Sequence, residues 1–293
     1  MERETIIKQL DALYASGDPR DLEAFLLTQL DLADQSGEWK LWITLSNELI
    51  GLYRELGKYA EALRYFQSTC QLFAEKGMEG TVPHATTLMN GANIYRTAGK
   101  PDQAAALYLE ALCVLEKNLP EKDYRIAGLH NNLSLVYLEQ GKQQEALPHL
   151  LRALSILEAL PGTTSEQAST HTNLASLYCH VGQIRQAEKH LERGKELFEA
   201  AGGRDPHFAS LLSVWGDVCC ARKDYDSAAV YLGQALAVME SFFGKNRSYA
   251  IMSQNLALVL DKNGHPDEAS ALRQEAESIF TKLQADIEKG GNL

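Results

Sequence analysis

The sequence predicts an all-α fold in which antiparallel helix hairpins stack into a solenoid. Two observations predict it. Alanine, leucine, glutamate, glutamine and lysine dominate the 293 residues and only 8 prolines are present, a composition that favours helix. One pattern of glycine, alanine and large apolar residues also recurs every 41 or 42 residues, as in repeat proteins. A single hairpin cannot bury its apolar stripe, whereas stacked hairpins bury each stripe against the next.

The repeat is clearest in a column of glycines, whose places we call the anchor positions. Five glycines stand 42, 42, 41 and 82 residues apart, and Lys223 lies at the midpoint of the last gap. The anchors of units 1 to 6 are therefore Gly57, Gly99, Gly141, Gly182, Lys223 and Gly264. Glycine suits the left-handed residue that ends a first helix. Pro101 and Pro266, two residues past their anchors, fit the first turn of a second helix.

Two further columns support this register. Five residues after each anchor stands an alanine: Ala62, Ala104, Ala146, Ala187, Ala228 and Ala269. Four residues before each anchor stands a tyrosine or an apolar residue: Tyr53, Tyr95, Tyr137, Tyr178, Cys219 and Leu260. The small alanine lets the two helices of a hairpin approach closely, and the large residues fill the space between hairpins.

The columns also set the expected boundaries. Residues 39–282 hold the six repeats. Residues 1–38 read as an N-terminal capping hairpin, because Gly17, Asp18 and Pro19 form a turn signal between two helical stretches. Residues 283–293 are expected to extend the last helix and to end in a flexible tail.

These columns resemble the tetratricopeptide repeat. The family's pattern of leucine, small residue, tyrosine, glycine and alanine is met in unit 3 by Leu133, Ser134, Tyr137, Gly141, Ala146 and Ala153, and in unit 4 by Leu174, Ala175, Tyr178, Gly182 and Ala187. The usual period is about 34 residues, so this longer repeat is similar to the kinesin-light-chain type. The resemblance covers roughly residues 40–282 and implies a right-handed superhelix whose first helices line a concave groove.

An asparagine column is not explained by the scaffold. Nine residues before the anchor, four of the six units carry an asparagine: Asn90, Asn132, Asn173 and Asn255. Asparagine costs up to about 0.7 kcal/mol relative to alanine inside a helix. The resemblance implies that this position faces a bound peptide, whose backbone an amide can both donate to and accept from. The alternative is that these amides hydrogen-bond an adjoining hairpin or cap a loop.

Polar neighbours on the same helices extend the candidate binding set. They are Asn47, Asn93, Asn131, Arg54 and Arg96. Arg54 and Arg96 share one column, which holds Asp261 in the last unit, with Asp217 nearby in unit 5. This gradient suggests a ligand whose acidic part lies toward units 1 and 2, although an ordinary solvated charge face is the alternative. Unit 5 departs most from the pattern and is either a break in the groove or a dimer contact.

Several kinds of chemistry are not expected. The net charge of −11 disfavours nucleic-acid binding, which needs a basic surface. No metalloprotease, phosphate-loop or serine-hydrolase motif occurs, so we expect neither an enzyme nor a cofactor. Repeated histidine columns favour packing over a metal site. The five cysteines and the lack of a long apolar run are typical of a cytoplasmic protein without membrane insertion.

The function expected from these observations is non-catalytic binding of a protein or an extended peptide, as a scaffold or adaptor. Two alternatives remain. One is a signalling regulator whose superhelix responds to a small peptide. The other is a module that assembles with itself, as a homodimer or by stacking through its terminal hairpins.

Overall fold

The computed structural model describes residues 6, 8–10, 12–13, 19–202 and 206–289. Residues 6, 8–10 and 12–13 are helical, whereas the expected turn at 17–18 and the tail at 290–293 lie outside the described residues. The helices that follow are α1 (Pro19–Gln35), α2 (Trp39–Glu55), α3 (Tyr59–Glu75), α4 (Val82–Thr97), α5 (Pro101–Asn118), α6 (Tyr124–Glu139), α7 (Gln143–Glu158), α8 (Thr164–His180), α9 (Ile184–Ala200), α10 (Pro206–Ala221), α11 (Tyr225–Phe243), α12 (Arg247–Lys262) and α13 (Pro266–Lys289). The predicted all-α hairpin solenoid is confirmed.

The turn inside each hairpin has the same geometry in all six units. Every anchor residue has a positive φ, between 64° and 83°. The next residue donates its N–H to the carbonyl of the tyrosine column, as Lys58 does to Tyr53 at 2.8 Å. Asp224 makes the equivalent bond to Cys219 at 2.9 Å. Lys223 therefore adopts a glycine-like conformation at φ 64°, because the turn requires it and not because its side chain favours it.

The alanine column lies where the two helices of each hairpin cross. All six alanines are fully buried. A larger side chain at this place would separate the helices, so the column fixes how closely they pack. The hydrophobic cores then run from hairpin to hairpin along the chain.

The hairpins form two layers of unequal packing. The first helices of neighbouring units contact each other directly in three cases: α2 with α4, α6 with α8, and α8 with α10. In the part of the chain that the structure describes, second helices of neighbouring units do not contact one another to this extent. A curved stack packs its inner layer more closely than its outer layer, so the first helices lie on the concave side.

The last helix returns to the first repeat. α13 contacts α3, and Leu283 packs against the core formed by α1, α2 and α3. Its side chain lies directly over Gly57, where a Cβ would displace Cδ2 of Leu283. The segment after residue 282, expected only to extend the last helix, thus joins the two ends of the repeat array. No helix in the described residues is long and apolar enough to cross a membrane.

Candidate peptide-binding groove

The concave faces of α2, α4, α6, α8, α10 and α12 form the candidate groove. Two rows of side chains, nine and six residues before the anchors, run across these helices from one unit to the next. The row at nine is Glu48, Asn90, Asn132, Asn173, Val214 and Asn255, and the row at six is Gly51, Asn93, Leu135, Ser176, Asp217 and Leu258.

At the N-terminal end of the groove, the asparagines bind each other. Asn90 donates from Nδ2 to Oδ1 of Asn47 at 2.8 Å. Asn47 in turn donates from Nδ2 to Oγ1 of Thr87 at 3.0 Å and to the carbonyl of Ile43 at 3.0 Å. Asn90 therefore has the structural role given above as the alternative to peptide binding. Its amide hydrogen-bonds an adjoining hairpin and links α4 to α2.

The other three members of the column are different. Asn132, Asn173 and Asn255 are half-buried, and none of them makes a side-chain hydrogen bond with the described residues. Each amide thus has a donor and an acceptor that no group of the described residues satisfies. None of their polar atoms is among the buried ones that lack a partner, so water reaches each amide and a ligand can bind there in place of that water.

The neighbouring Asn131 has a structural role on one side only. Its Nδ2 donates to Oγ1 of Thr170 on α8 at 2.8 Å and so links units 3 and 4. Its Oδ1 is buried and has no hydrogen-bond partner. The same helix thus carries one amide that joins two units and, at Asn132, one that does not.

The two arginines lie around the hydroxyl of Tyr108, and both are ion-paired. Oδ1 of Asn93 accepts a hydrogen bond from this hydroxyl at 2.5 Å. Burial raises the pKa of Tyr108, and the positive charges of Arg96 and Arg54 oppose this rise. Arg96 donates to Glu139 at 2.9 Å, while its Nε is buried without an acceptor. Arg54 pairs with the adjacent Glu55 at 3.2 Å. The basic end of the expected gradient is therefore largely neutralised.

The acidic end of the groove rests on Asp217. Asp261 is ion-paired with Arg273 of α13. Asp217 is half-buried on α10 and has neither a hydrogen bond nor an ion pair within the described residues. Burial raises the pKa of its carboxyl to about 6, against a weaker opposite influence of His180. The sequence could have pointed to Asp217 through the row at six, because Asp217 is the acidic member of a row whose other members are small, polar or apolar.

Two apolar residues complete this end. Ile251 and Leu258 are 37% and 56% exposed, although both are large. They stand four residues before and three residues after Asn255, so they share one face of α12 with it. Sequence reasoning missed them because each fits an ordinary helical pattern when it is considered alone.

The repeated histidines pack in pairs inside units 3 and 4. Nδ1 of His130 lies 2.8 Å from Nδ1 of His149, and the ring of His149 stacks on Tyr137. His171 and His190 repeat this contact at 2.9 Å. No cluster of three or more histidine, cysteine or acidic residues suited to a metal ion occurs in the described ranges.

The cysteine pair in unit 5 lacks the features of a reactive thiol. Burial is the main cause that raises the pKa of Cys219 and of Cys220 above the ordinary value. Both are thus held as thiols at neutral pH, whereas nucleophilic cysteines need a lowered pKa.

The family model for the tetratricopeptide repeat matches residues 43–117, 125–200 and 207–282. The chain belongs to the tetratricopeptide repeat family. Each match covers two units, so the six hairpins are accounted for. The family resemblance read from the glycine, tyrosine and alanine columns is confirmed.

Solved tetratricopeptide repeat structures share the fold at low identity. BtubC (BKLC) from P. vanneervenii is 22% identical over 78% of this chain and 91% of its own, with a TM-score of 0.52. The apo form of RapI is 14% identical over 99% and 100%, with a TM-score of 0.69. A Rap protein complexed with Competence and Sporulation Factor is 12% identical over 92% and 80%, with a TM-score of 0.65. Comparison with curated proteins finds no match.

Proposed function

We propose that this tetratricopeptide repeat protein is a non-catalytic scaffold or adaptor that binds a protein or an extended peptide along its concave groove. The observation that carries the proposal is the set of amides at Asn132, Asn173 and Asn255. They stand at the same position of the first helices α6, α8 and α12, are half-buried, and have no partner in the described residues. A cytoplasmic location and the lack of nucleic-acid binding remain part of the proposal.

The spacing of these amides suits an extended chain. Packed helices lie about 8–10 Å apart, so neighbouring first helices such as α6 and α8 place Asn132 and Asn173 at about that separation. An extended peptide advances about 3.3 Å per residue, so about three residues lead from Asn132 to Asn173, and about six lead from Asn173 past Val214 to Asn255. An amide can clasp such a backbone whatever the ligand's side chains.

The second candidate is a regulator whose superhelix changes on binding a small peptide. The contact of α13 with α3 favours it, since a change in superhelical pitch would have to break or tighten this contact. The similar fold of the Rap protein complexed with Competence and Sporulation Factor supports it as well. Self-association through the terminal hairpins is less supported, because part of their surface is used within the chain.

The test is capture of a partner from lysate by three forms of the protein. The first is the native chain and the second is Asn132→Ala with Asn173→Ala. The matched control is Gln103→Ala with Gln144→Ala, which removes two exposed amides from the second helices α5 and α7. All three should show equal helicity and melting.

We expect one partner to bind the native chain and the control but to be lost from the asparagine variant. Equal capture by all three forms would refute the groove as the binding site. For the second candidate, the purified partner or its peptide should change the radius of gyration in small-angle X-ray scattering. An unchanged radius at saturation would reject that candidate alone.

A further inference from the structure

The C-terminal end of the groove contains a carboxylate that forms no ion pair with the described residues. Asp217 lies in the row at six on α10. Arg54, Arg96 and Asp261 each have an ion-pair partner, whereas Asp217 has none among the described residues. A half-buried carboxylate loses hydration without gaining an opposite charge, which is costly unless a ligand supplies a cation.

The next first helix presents apolar surface to the same row. Leu258 stands at the position of α12 that Asp217 occupies on α10, and Ile251 lies two turns before it on the same face. Both side chains are well exposed, at 56% and 37%. Asn255 lies between them, and its amide has no partner among the described residues. A carboxylate, an amide and an apolar patch thus follow one another along the groove.

We propose that units 4 to 6 select an extended peptide that carries a lysine or arginine side chain and a large apolar side chain about three residues apart. The cation pairs with Asp217, and the apolar side chain covers Ile251 and Leu258. Asn173 and Asn255 hold the peptide backbone on either side. This inference rests on the proposed function and adds the chemistry of the ligand to it.

The spacing follows from the helix geometry. Closely packed helices lie about 8–10 Å apart, so three residues of extended chain are about the shortest stretch that reaches from Asp217 on α10 to Leu258 on α12. In the described residues α10 and α12 do not contact each other as α8 and α10 do, so the distance between them is not shorter than that of packed helices.

Charge complementarity favours a cation over any other group at Asp217. The neighbouring thiols of Cys179 and Cys220 feel its negative charge, and burial keeps both of them protonated. The charge of His180, whose ring bonds the carbonyl of Ser176, affects Asp217 only weakly. The peptide's cation would therefore be the main counter-ion, in a place where water screens the pair less than at an open surface.

The experiment uses a displayed library of random nine-residue peptides selected against the intact chain. The same library is selected against Asp217→Asn, Asp217→Lys and the control Asp267→Asn, which changes an exposed carboxylate in the first turn of α13. Circular dichroism establishes that each variant is folded. If Asp217→Lys does not fold, Asp217→Asn carries the test.

On the native chain we expect enrichment of peptides with a basic and a large apolar residue about three positions apart. Synthetic versions of these peptides should bind Asp217→Asn about ten-fold more weakly or worse, and the control as tightly as the native chain. With Asp217→Lys the selected charge should change from basic to acidic.

Two other results would overturn the inference and are distinct from each other. The proposed ligand chemistry is refuted if the enriched peptides lack a basic residue or bind Asp217→Asn as tightly as the native chain. In that case the groove proposal still stands if Asn173→Ala abolishes the binding of these peptides. A library from which no peptide is enriched on any form counts against both the inference and peptide binding in the groove.

Discussion

The paired histidines of units 3 and 4 predict how the stability of the protein depends on pH. Burial lowers the pKa of His130 and of His171 to about 4, and the charge of the paired ring adds to this effect. Burial lowers the pKa of His149 and His190 as well. Two Nδ1 atoms 2.8–2.9 Å apart need one donor and one acceptor, which two protonated rings cannot provide.

The sign and size of the effect follow from proton linkage. The unfolded rings take up protons as the pH falls below about 6.5, whereas the folded rings do so only near pH 4, so stability is lost between these values. From pH 7.5 to pH 5 each ring with these two values would contribute a loss of about 2 kcal/mol. Screening by partial exposure reduces this to about 1 kcal/mol each, or about 2 kcal/mol for His130 and His171 together.

The assay is denaturant unfolding at pH 7.5 and pH 5.0, followed by circular dichroism. The double variant His130→Gln with His171→Gln should lose about 2 kcal/mol less between the two pH values than the native chain does. His207→Gln, at an exposed position on α10, should keep the full dependence. Equal losses in the native chain and the double variant would refute the reasoning. A ring pKa near 6.5 for His130 or His171, measured by NMR titration, would refute it as well.

Three further predictions concern packing. Lys223→Gly should stabilise the chain by about 0.5–1 kcal/mol, because glycine adopts the observed φ without strain, and an unchanged or lower melting temperature would contradict this. Gly91→Leu places a side chain into the Phe66 ring and should lower the free energy of unfolding by about 1–3 kcal/mol. Adding Phe66→Ala should restore part of this loss, and the absence of any restoration would rule out this contact as its cause. Leu283→Asp should separate α13 from α3 and increase the radius of gyration in small-angle X-ray scattering, whereas Lys282→Asp, at an exposed neighbouring position, should leave it unchanged.

The repeat architecture was predictable because each column reflects a local physical requirement. A positive φ at the end of the first helix favours glycine, and the close crossing of two helices requires alanine. Even the exception followed from spacing, since Lys223 was assigned as an anchor and has the φ of one. Such requirements act within one hairpin and recur at a fixed distance, so a single sequence displays them several times.

The groove was less predictable because its properties depend on pairing between units. The asparagine column gave no sign that Asn90 binds Asn47, whereas the side chain of Asn132 binds none of the described residues. Likewise, Arg96 reads as a free charge until Glu139, 43 residues later, is seen to neutralise it. The contact of Leu283 with the first repeat involves parts of the chain more than 200 residues apart, and no periodicity predicts it.

This contact between α13 and α3 also bears on folding cooperativity. In a linear repeat array each unit is stabilised only by its immediate neighbours, so the terminal units unravel first and independently. Here the last helix covers Gly57 and packs on the first core, which links units 1 and 6 without any unit between them. The two ends are therefore stabilised together. Removing the last turns of α13 should accelerate hydrogen exchange in α2 and α3, at the opposite end of the sequence.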